Sequence, residues 1–304
     1  MTFGQLRTFL EVARSGSIRG AAAALVVTEP SVSATVAALQ REMGVELIER
    51  EGRGIRLTPA GTELARYAGQ ILGLAEQAVR RVQEVAGRTG HLHLAAVTTA
   101  GEYVVPPILK LFRERHPEVQ FRVEVGNRAW VLERLLSRDA DLAVGGRPPV
   151  ERGIVGEPFL DNELVVVGGP ESPLAAQRVV EPLVLARETW LLREPGSGTR
   201  QTTEEFFADA GIEPRSIMTL GSNGAVKQAA AAGLGVTLLS HHAANAELAS
   251  GALIQIPVRG TPLRRSWYVL YLERDRLAGT ALAFLDLLRS GEGSRAVRDW
   301  LRAG

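Results

Sequence analysis

The chain has 304 residues, of which 45% are hydrophobic and 23% are charged, and its formal net charge is +1. These values are typical of a globular protein with two or three compact units, and they exclude a nucleic-acid-binding role that depends on overall charge. The absence of cysteine excludes disulfides and thiolate chemistry. Because the sequence shows no run of eighteen apolar residues and no signal-peptide pattern, we expect a cytoplasmic protein without membrane contact.

Residues 1–60 begin with three predicted helices. Apolar residues in the first helix recur at the spacing of one buried face, at Leu6, Phe9, Leu10 and Ala13. Ser17 is a suitable N-cap for the second helix, as Thr28 is for a third helix that carries Pro30 in its first turn. Three helices joined by tight turns within about forty residues predict a helix-turn-helix unit.

The third helix, from Pro30 to Met43, has two different faces. One face is apolar, is expected to dock on the preceding helices, and carries Val32, Val36, Leu39 and Met43. The opposite face carries small side chains and one arginine, at Ser33, Ala34, Ala37, Ala38 and Arg41. Small side chains let a helix approach base edges closely, and first-turn hydroxyls and free amides can bind phosphates. The alternative is a core helix with an alanine-rich exposed side.

A hairpin with the basic tip Gly52-Arg53-Gly54 is predicted next, and a hairpin in this position is a wing. Arg53 would reach a minor groove or a phosphate. Arg50 would either contact DNA or pair with Glu46 or Glu49. The wing favours the DNA-binding interpretation. The predicted DNA contacts are Thr28, Glu29, Pro30, Ser31, Ser33, Ala34, Arg50 and Arg53.

A long helix is predicted from Thr58 to about Val85, because Pro59 suits its first turn and an apolar stripe continues to Val82. It would be about 40 Å long, which is too long for a small domain to cover. We therefore expect two copies of this helix to pair in a homodimer. The predicted domains are 1–60 for DNA binding, 61–89 for the linker helix and 90–304 for ligand binding.

Strands and helices alternate in residues 90–304. The strand patterns HLHLAAV, QFRVEV and ADLAVGG are separated by helical segments, and a similar series begins at WLLR. This alternation predicts a mostly parallel sheet that is covered by helices. Two similar halves would form two lobes with a cleft between them. Lobe I is predicted to comprise about 90–162 and 267–304, and lobe II about 163–266.

Three predicted strand-to-helix junctions carry hydroxyls and free backbone amides, which are the groups that bind small anions. TTAGEY lies in lobe I, and EPGSGTR and LGSNGAVKQ lie in lobe II. We therefore expect a carboxylate or phosphate ligand in the cleft. Gly145, Gly146 and Arg147, at the end of a strand, would complete the site. The predicted ligand-binding residues are Thr98, Thr99, Ala100, Gly145, Gly146, Ser197, Thr199, Ser222 and Asn223.

The sequence lacks the motifs that would predict catalysis. There is no G-x-S-x-G, no G-x-G-x-x-G that opens a helix and no Walker A loop, so we predict no catalytic residue and no cofactor other than the ligand. His91 and His93 would point to one side of a strand, but no Cys, Asp or Glu ligand accompanies them, so we predict no metal site. An α/β enzyme and a periplasmic-type solute-binding protein are the alternative functions.

The segment LRTFLEVARSGSIRGAAAALVVTEPSVSATVAALQREMGVELIEREGRGIRLTPAG resembles the N-terminal signature of LysR-type transcriptional regulators. The shared features include Gly-Ser before the second helix, Pro-x-x-Ser at the start of the third, and Leu-Thr-Pro-Ala-Gly after the wing. The resemblance covers essentially the whole chain. It implies an N-terminal all-α winged helix-turn-helix with a long linker helix, and a C-terminal α/β two-lobed effector domain similar to type 2 periplasmic binding proteins.

The resemblance also implies a function and partners. Such a regulator binds double-stranded promoter DNA sequence-specifically, responds to a small anionic metabolite between its lobes and assembles as a homotetramer, with RNA polymerase as a further candidate partner. TTAGEYVVPPILKLFRERHPEV and REPGSGTRQTTEEFFADAGIEP look most like the branch that includes regulators of carbon-fixation genes.

Two residues depart from the pattern of similar regulators. Glu29 stands where they usually carry glutamine, and Ala34 stands where they are often basic. A carboxylate accepts hydrogen bonds but does not donate them, so Glu29 could read a cytosine amino group and would repel phosphates. We therefore expect an operator unlike the family's usual one, with more of the affinity supplied by the wing.

Overall fold

The computed structural model describes residues 1–52, 54–87, 90–149, 153–274 and 277–303. The chain forms two compact units. The first comprises Met1–Arg88 with Leu136–Asp139, and the second comprises Thr89–Leu135 with Ala140–Gly304. Among the described residues no single helix is long and apolar enough to cross a membrane, and Ile18–Leu25 with Glu29–Met43 meets those criteria only as a pair bent by 112°.

The first unit consists of helices and a small hairpin. Its elements are α1 (Phe3–Ser15), α2 (Ile18–Leu25), α3 (Glu29–Met43), β1 (Ile48–Glu51), β2 (Gly54–Leu57) and α4 (Pro59–Val85). The side chains of Ser17, Thr28 and Thr58 each accept a hydrogen bond from a first-turn amide, so local capping fixes where α2, α3 and α4 begin. This is a winged helix-turn-helix followed by a long helix.

The helix-turn-helix is held together by a small apolar core. Its buried side chains are Phe9, Val12, Ala21, Ala22, Val32, Val36, Leu39 and Leu47. The wing is attached to this core by hydrogen bonds from main-chain amides: the side-chain Oε1 of Gln40 accepts from the amides of Leu47 and Ile48, and the Gly16 carbonyl accepts from the Ile55 amide. The prediction that Met43 packs on the core is wrong. Met43 is 40% exposed because it lies in the last turn of α3, just before the Gly44 C-cap.

From residue 90 onward the chain alternates strands and helices. The strands are β3 (His91–Val97), β4 (Gln120–Gly126), β5 (Leu142–Gly145), β6 (Val155–Gly168), β7 (Thr189–Arg193), β8 (Ser216–Leu220), β9 (Thr237–Ser240), β10 (Ile254–Gln255) and β11 (Leu263–Tyr271). The helices are α5 (Thr98–Tyr103), α6 (Val105–Arg115), α7 (Arg128–Leu136), α8 (Gly198–Ala210), α9 (Asn223–Ala231), α10 (His241–Ser250), α11 (Gly279–Arg289) and α12 (Glu292–Ala303).

The main sheet is mixed, so the prediction of a mostly parallel sheet is wrong. Strand β3 pairs in parallel with β4 and β5, but β6 and β11 are antiparallel partners along their length. The C-terminal end of β11 pairs with β5. The C-terminal end of β6 extends beyond β11 and pairs with β9 and β10. The two long strands therefore continue from one half of the sheet into the other. The sequence pattern gave no warning of this, since it did not identify β6 as a single 14-residue strand.

Separate apolar cores define two lobes within the second unit. The core of lobe I contains Leu94, Val144, Leu160, Trp267 and Phe284 among its buried side chains. Lobe II has two clusters on the two faces of its strands, one around Trp190 and Phe207 and the other around Leu191 and Val226. Each lobe thus buries its own apolar surface, and β6 and β11 are the segments that cross between them.

Candidate functional site

The first two turns of α3 present one exposed surface. Thr28, Glu29, Pro30, Ser31, Ser33 and Ala34, which were predicted to contact DNA, are all exposed. Val32, Val36 and Leu39 on the other face are buried, as the helical periodicity predicted. The Thr28 hydroxyl already accepts from the Ser31 amide at 3.4 Å, so its principal role in the free chain is to cap the helix. The small exposed side chains leave room for a close approach of α3 to a groove.

Among the described residues of the wing, Arg50 is a cation without a recorded ion pair. Arg50 lies on β1 and is exposed. The neighbouring carboxylate of Glu49 pairs with Arg56 at 2.5 Å, and Glu51 pairs with the same guanidinium at 3.6 Å. Glu49 therefore pairs with Arg56 and not with Arg50. Of these two arginines, Arg50 is the more suitable phosphate contact. The predicted tip residue Arg53 lies outside the described residues.

A cleft of about 910 Å³ lies between the two lobes of the second unit. Ligand sites in proteins commonly have volumes of about 300–1,000 Å³. The cleft is formed where β3, β4 and β5 of lobe I end, where α8 of lobe II begins, and where β6 and β11 cross. Five of the predicted ligand-binding residues line it: Thr98, Thr99, Gly146, Ser197 and Thr199.

Four predicted residues do not line the cleft. Ala100 is fully buried in the turn of α5, and Gly145 is the last residue of β5, where its backbone pairs with Tyr268. Ser222 is the N-cap of α9 and accepts from the Ala225 amide at 3.1 Å. Asn223 is fully buried behind the cleft wall. Helix-start patterns identify free amides and hydroxyls, but they do not distinguish those that face a cavity from those that face a neighbouring helix.

Asn223 connects the two lobes beside the cleft. Its side-chain amide donates to Thr99 Oγ1 at 3.2 Å and to Glu102 Oε2 at 3.0 Å, both on α5 of lobe I. Its carbonyl oxygen accepts from Arg193 Nη1 at 2.5 Å. Arg193 also binds Glu194 through Nε at 2.7 Å and Nη2 at 2.9 Å. Asn223 thereby fixes the positions of two residues that line the cleft, Thr99 and Arg193.

Lys227 provides a second connection one turn further along α9. Its Nζ donates to Tyr103 OH of lobe I at 3.1 Å and to the Ala243 carbonyl at 3.0 Å, and it pairs with Glu247 at 2.7 Å. Burial alone would lower the pKa of Lys227, but its bonds to Glu247 and Tyr103 outweigh burial, so the pKa lies above its ordinary value. The contact between α5 and α9 is therefore polar and specific.

The cleft is rich in arginine, of which only Arg147 was predicted from the sequence. Its described lining includes five arginines and only two carboxylates: Arg128, Arg147, Arg193, Arg264 and Arg265 with Asp161 and Glu205. The arginines come from separate elements, so no local motif contains more than two of them. Burial alone would raise the pKa of Glu194, but its hydrogen bonds from Arg193 hold it below the ordinary value. The surplus of positive charge suits an anionic ligand.

The floor of the cleft lies where the long strands cross. Ser240 Oγ donates to Asn162 Oδ1 at 2.6 Å, and both side chains are buried and line the cleft. The β6–β11 register shifts between Trp267 and Tyr268, and these two residues also line the cleft. Bulges re-aim side chains next to binding sites. No signal in the sequence identified this floor, because its residues belong to three strands that are far apart in the chain.

No metal centre accompanies the cleft in the part of the chain that the structure describes. There, no group of three or more His, Asp or Glu side chains is arranged to hold a metal ion. His93, on β3, and Asp141 interact through the His93 amide, which donates to Asp141 Oδ2 at 2.9 Å.

Comparisons with known proteins agree with this architecture. The family model "Bacterial regulatory helix-turn-helix protein, lysR family" matches residues 3–62, and the model "LysR substrate binding domain" matches residues 86–292. The RuBisCO operon transcriptional regulator of Allochromatium vinosum is 38% identical over 289 residues, which cover 94% of this chain and 95% of that protein. The protein of the same name from Acidithiobacillus ferrooxidans is 40% identical over 288 residues, which cover 94% and 93%.

Among solved structures, the CcmR regulatory domain of Synechocystis PCC6803 in complex with 2-PG is 34% identical to this chain. It superimposes with a TM-score of 0.63 and covers 66% of this chain and 96% of that domain. The two matched family models span the winged helix-turn-helix and the two-lobed region. The family predicted from the N-terminal signature is confirmed, and the chain belongs to the LysR family of DNA-binding transcriptional regulators.

Proposed function

We propose that this regulator responds to a compact phosphorylated or carboxylated metabolite that binds in the cleft between its lobes. The observation that carries the proposal is the charge of the cleft, where five described arginines face two carboxylates beside the hydroxyls of Thr98, Thr99 and Ser197. The Ser197 hydroxyl makes no capping bond to its helix, and the Thr99 hydroxyl, which accepts from Asn223, keeps its own proton to donate to a ligand. Asn223 is assigned a supporting role, since it contacts Thr99 and Arg193 and not the cavity.

The relatives suggest which metabolite and which genes are involved. Two relatives that match along almost their whole length are named RuBisCO operon regulators, and the CcmR regulatory domain was solved with 2-PG, 2-phosphoglycolate. We therefore assign this chain to the control of carbon-fixation genes, with 2-phosphoglycolate as the first ligand to test. Phosphate monoesters carry close to two negative charges at neutral pH, which matches the surplus of arginine in the cleft.

For DNA we assign the contacts to the exposed start of α3 and to the wing. Ser31, Ser33 and Ala34 are exposed on α3 and would approach the base edges, while Arg50 is exposed on the wing and would bind a phosphate. Glu29 is the exposed first residue of α3 and is expected to alter base preference at one position, because it accepts hydrogen bonds only.

The same proposal holds that the chain assembles as a homotetramer and acts in the cytoplasm, where the DNA is. It also holds that the chain has no catalytic activity. Effector binding would shift an equilibrium between two shapes of the assembly that bend promoter DNA differently. Support for the absence of catalysis comes from the relatives, which are named as regulators and not as enzymes. Turnover of any cleft ligand would contradict this part of the proposal.

The test compares wild-type chain with Thr99→Val on DNA upstream of the chain's own gene. We expect wild-type protein to bind this DNA in a gel shift and 2-phosphoglycolate to change its footprint. Thr99→Val preserves the shape of the side chain but removes the hydroxyl from the cleft, so the ligand response should weaken at least tenfold while DNA affinity without ligand stays within about twofold.

Thr203→Val is the matched control. Thr203 is also a buried threonine, but its hydroxyl bonds to the Thr199 carbonyl within α8 and does not line the cleft. The ligand response of Thr203→Val should equal that of the wild type. If Thr99→Val retained the full response, the assignment of the cleft as the effector site would be wrong.

A further inference from the structure

The arginines of the cleft differ in how far the protein itself neutralises them. Arg193 is bound by Glu194 and by Asn223. Arg265 lies 3.7 Å from Glu205, and Arg264 lies 4.0 Å from Glu163 with 89% of its side chain exposed. These three guanidinium groups are therefore either paired with a carboxylate or largely solvated, and Arg147, the remaining one, is exposed.

Arg128 is different, because it is half-buried without a carboxylate in exchange. Among the described residues no carboxylate lies within salt-bridge distance of it, and its one hydrogen bond runs from Nη2 to the main-chain carbonyl of Arg147 at 2.6 Å. Burial lowers the pKa of Arg128 below its ordinary value, and the charge of Glu205 opposes this shift only in part. A partly desolvated cation without a counter-charge is an unfavourable feature that an anion would relieve.

The position of Arg128 lets such an anion reach both lobes. Arg128 begins α7 in lobe I and lines the cleft. A Cβ placed on Gly198, at the start of α8 in lobe II, would be 4.0 Å from the Cβ of Arg128. Its Nη1 lies 3.5 Å from the position of a Cβ on Gly146, so it packs beside the cleft wall. The bond to the Arg147 carbonyl uses Nη2 and leaves Nη1 and Nε for a ligand.

We propose that Arg128 is the specificity-determining contact of the cleft and that it binds an anionic group of a compact dianion between lobe I and the start of α8. This inference rests on the proposed function of the cleft as the effector site. It goes further in assigning the dominant charge contact to one residue. The planar fork of arginine matches a phosphate or carboxylate group, which a neutral ligand of the same shape would lack.

The experiment measures calorimetric binding of 2-phosphoglycolate and of inorganic phosphate to the full chain and to Arg128→Gln, Arg128→Lys and Arg264→Gln. Arg264→Gln is the comparison within the same cleft, because Arg264 contributes one of the five positive charges but is mostly solvated, so the pair of variants separates Arg128 from the general charge of the site. We expect Arg128→Gln to weaken 2-phosphoglycolate binding about tenfold to a hundredfold and Arg264→Gln to weaken it less than threefold. Arg128→Lys, which keeps the charge but not the fork, should fall between the wild type and Arg128→Gln.

A stability measurement separates ligand contact from a structural role. Without ligand, Arg128→Gln should unfold at the same temperature as the wild type or higher, because the substitution removes a desolvated charge; with ligand, its gain in melting temperature should be smaller. Equal losses for Arg128→Gln and Arg264→Gln, or a loss below threefold for Arg128→Gln, would overturn the inference and leave the proposed function intact. Failure of the wild-type chain to bind either probe would overturn both.

Discussion

His242 is a titratable residue at the edge of the cleft floor whose environment is mainly apolar. Its ring lies against Trp267, with ring centroids 6.4 Å apart, and its Nδ1 is 3.4 Å from Ser240 Oγ. Burial, together with the nearby His241, lowers the pKa of His242 to about 4. The folded chain therefore holds this imidazole neutral at pH values at which an unfolded chain, with a pKa near 6.5, takes up a proton.

This difference predicts the sign of a pH effect on stability. Because the unfolded state binds more protons between about pH 6.5 and pH 4, the free energy of unfolding falls as the pH is lowered through this range. Between pH 7 and pH 5, the free energy of unfolding should fall by on the order of 1 kcal/mol less in His242→Gln than in the wild type. Urea unfolding of the wild type and the variant at both pH values measures it. An identical pH dependence in the two proteins would show that His242 is not kept neutral by the fold.

At the scale of elements, the wing and the long helix α4 meet at a position that only glycine can occupy. A Cβ added to Gly61, in the first turn of α4, would lie 1.9 Å from the main-chain oxygen of Leu47. Thr58, the N-cap of α4, also bonds to this region, since its amide donates to the Leu47 carbonyl and its hydroxyl to the Glu46 carbonyl. The entry to the wing and the start of α4 are thus fixed to one another through backbone atoms.

Gly61→Ala should therefore destabilise the first unit by about 1–3 kcal/mol, because a backbone oxygen cannot move aside as a flexible side chain can. Denaturant unfolding followed by the loss of helical circular dichroism measures the change. Gly4→Ala is the control: Gly4 is also in the first turn of a helix, and its Cβ would meet only Thr2 Oγ1 at 3.9 Å. It should be neutral or slightly stabilising. Equal effects of the two substitutions would contradict the close contact at Gly61.

At the scale of the whole molecule, α4 carries an apolar stripe without a partner among the described residues. Its members lie within about 80° of one another at about 100° per residue. They are Tyr67, Leu74, Ala78, Val82 and Val85, all exposed. The stripe is about 27 Å long at 1.5 Å per residue. An apolar stripe of this length on a helix is typical of pairing with a second helix, which supports the proposed dimer.

The double substitution Leu74→Glu with Val82→Glu should dissociate the proposed dimer, because it places two like charges from each copy in an apolar seam. Light scattering coupled to size-exclusion chromatography gives the mass, and we expect a fall to smaller species together with weaker DNA binding. Val79→Glu is the control, since Val79 is a 57% exposed valine on the same helix but about 100° away from the centre of the stripe. An unchanged mass for the double variant would exclude pairing through this stripe.

Features that depend on local chemistry could be predicted from the sequence. Ser17, Thr28 and Thr58 fixed the helix starts of the first unit because an N-cap acts on amides two or three residues away, and the periodicity of α3 identified its buried face. The family signature is likewise contiguous and was readable without a structure. Thr99 and Ser197 could be predicted because each marks a strand-to-helix junction that the sequence displays directly.

Which of these groups face the cleft, and which charges accompany them, depends on contacts between residues that are far apart in the chain. Asn223 and Thr99 are 124 positions apart, yet they share a hydrogen bond that turns Asn223 away from the cavity. Arg128 follows β4 and Arg193 is the last residue of β7, and they line one cavity because β6 and β11 cross between the lobes. Long-range strand pairing has no local signature in one sequence, so neither the mixed sheet nor the arginine-lined cleft could be inferred before the strands were placed.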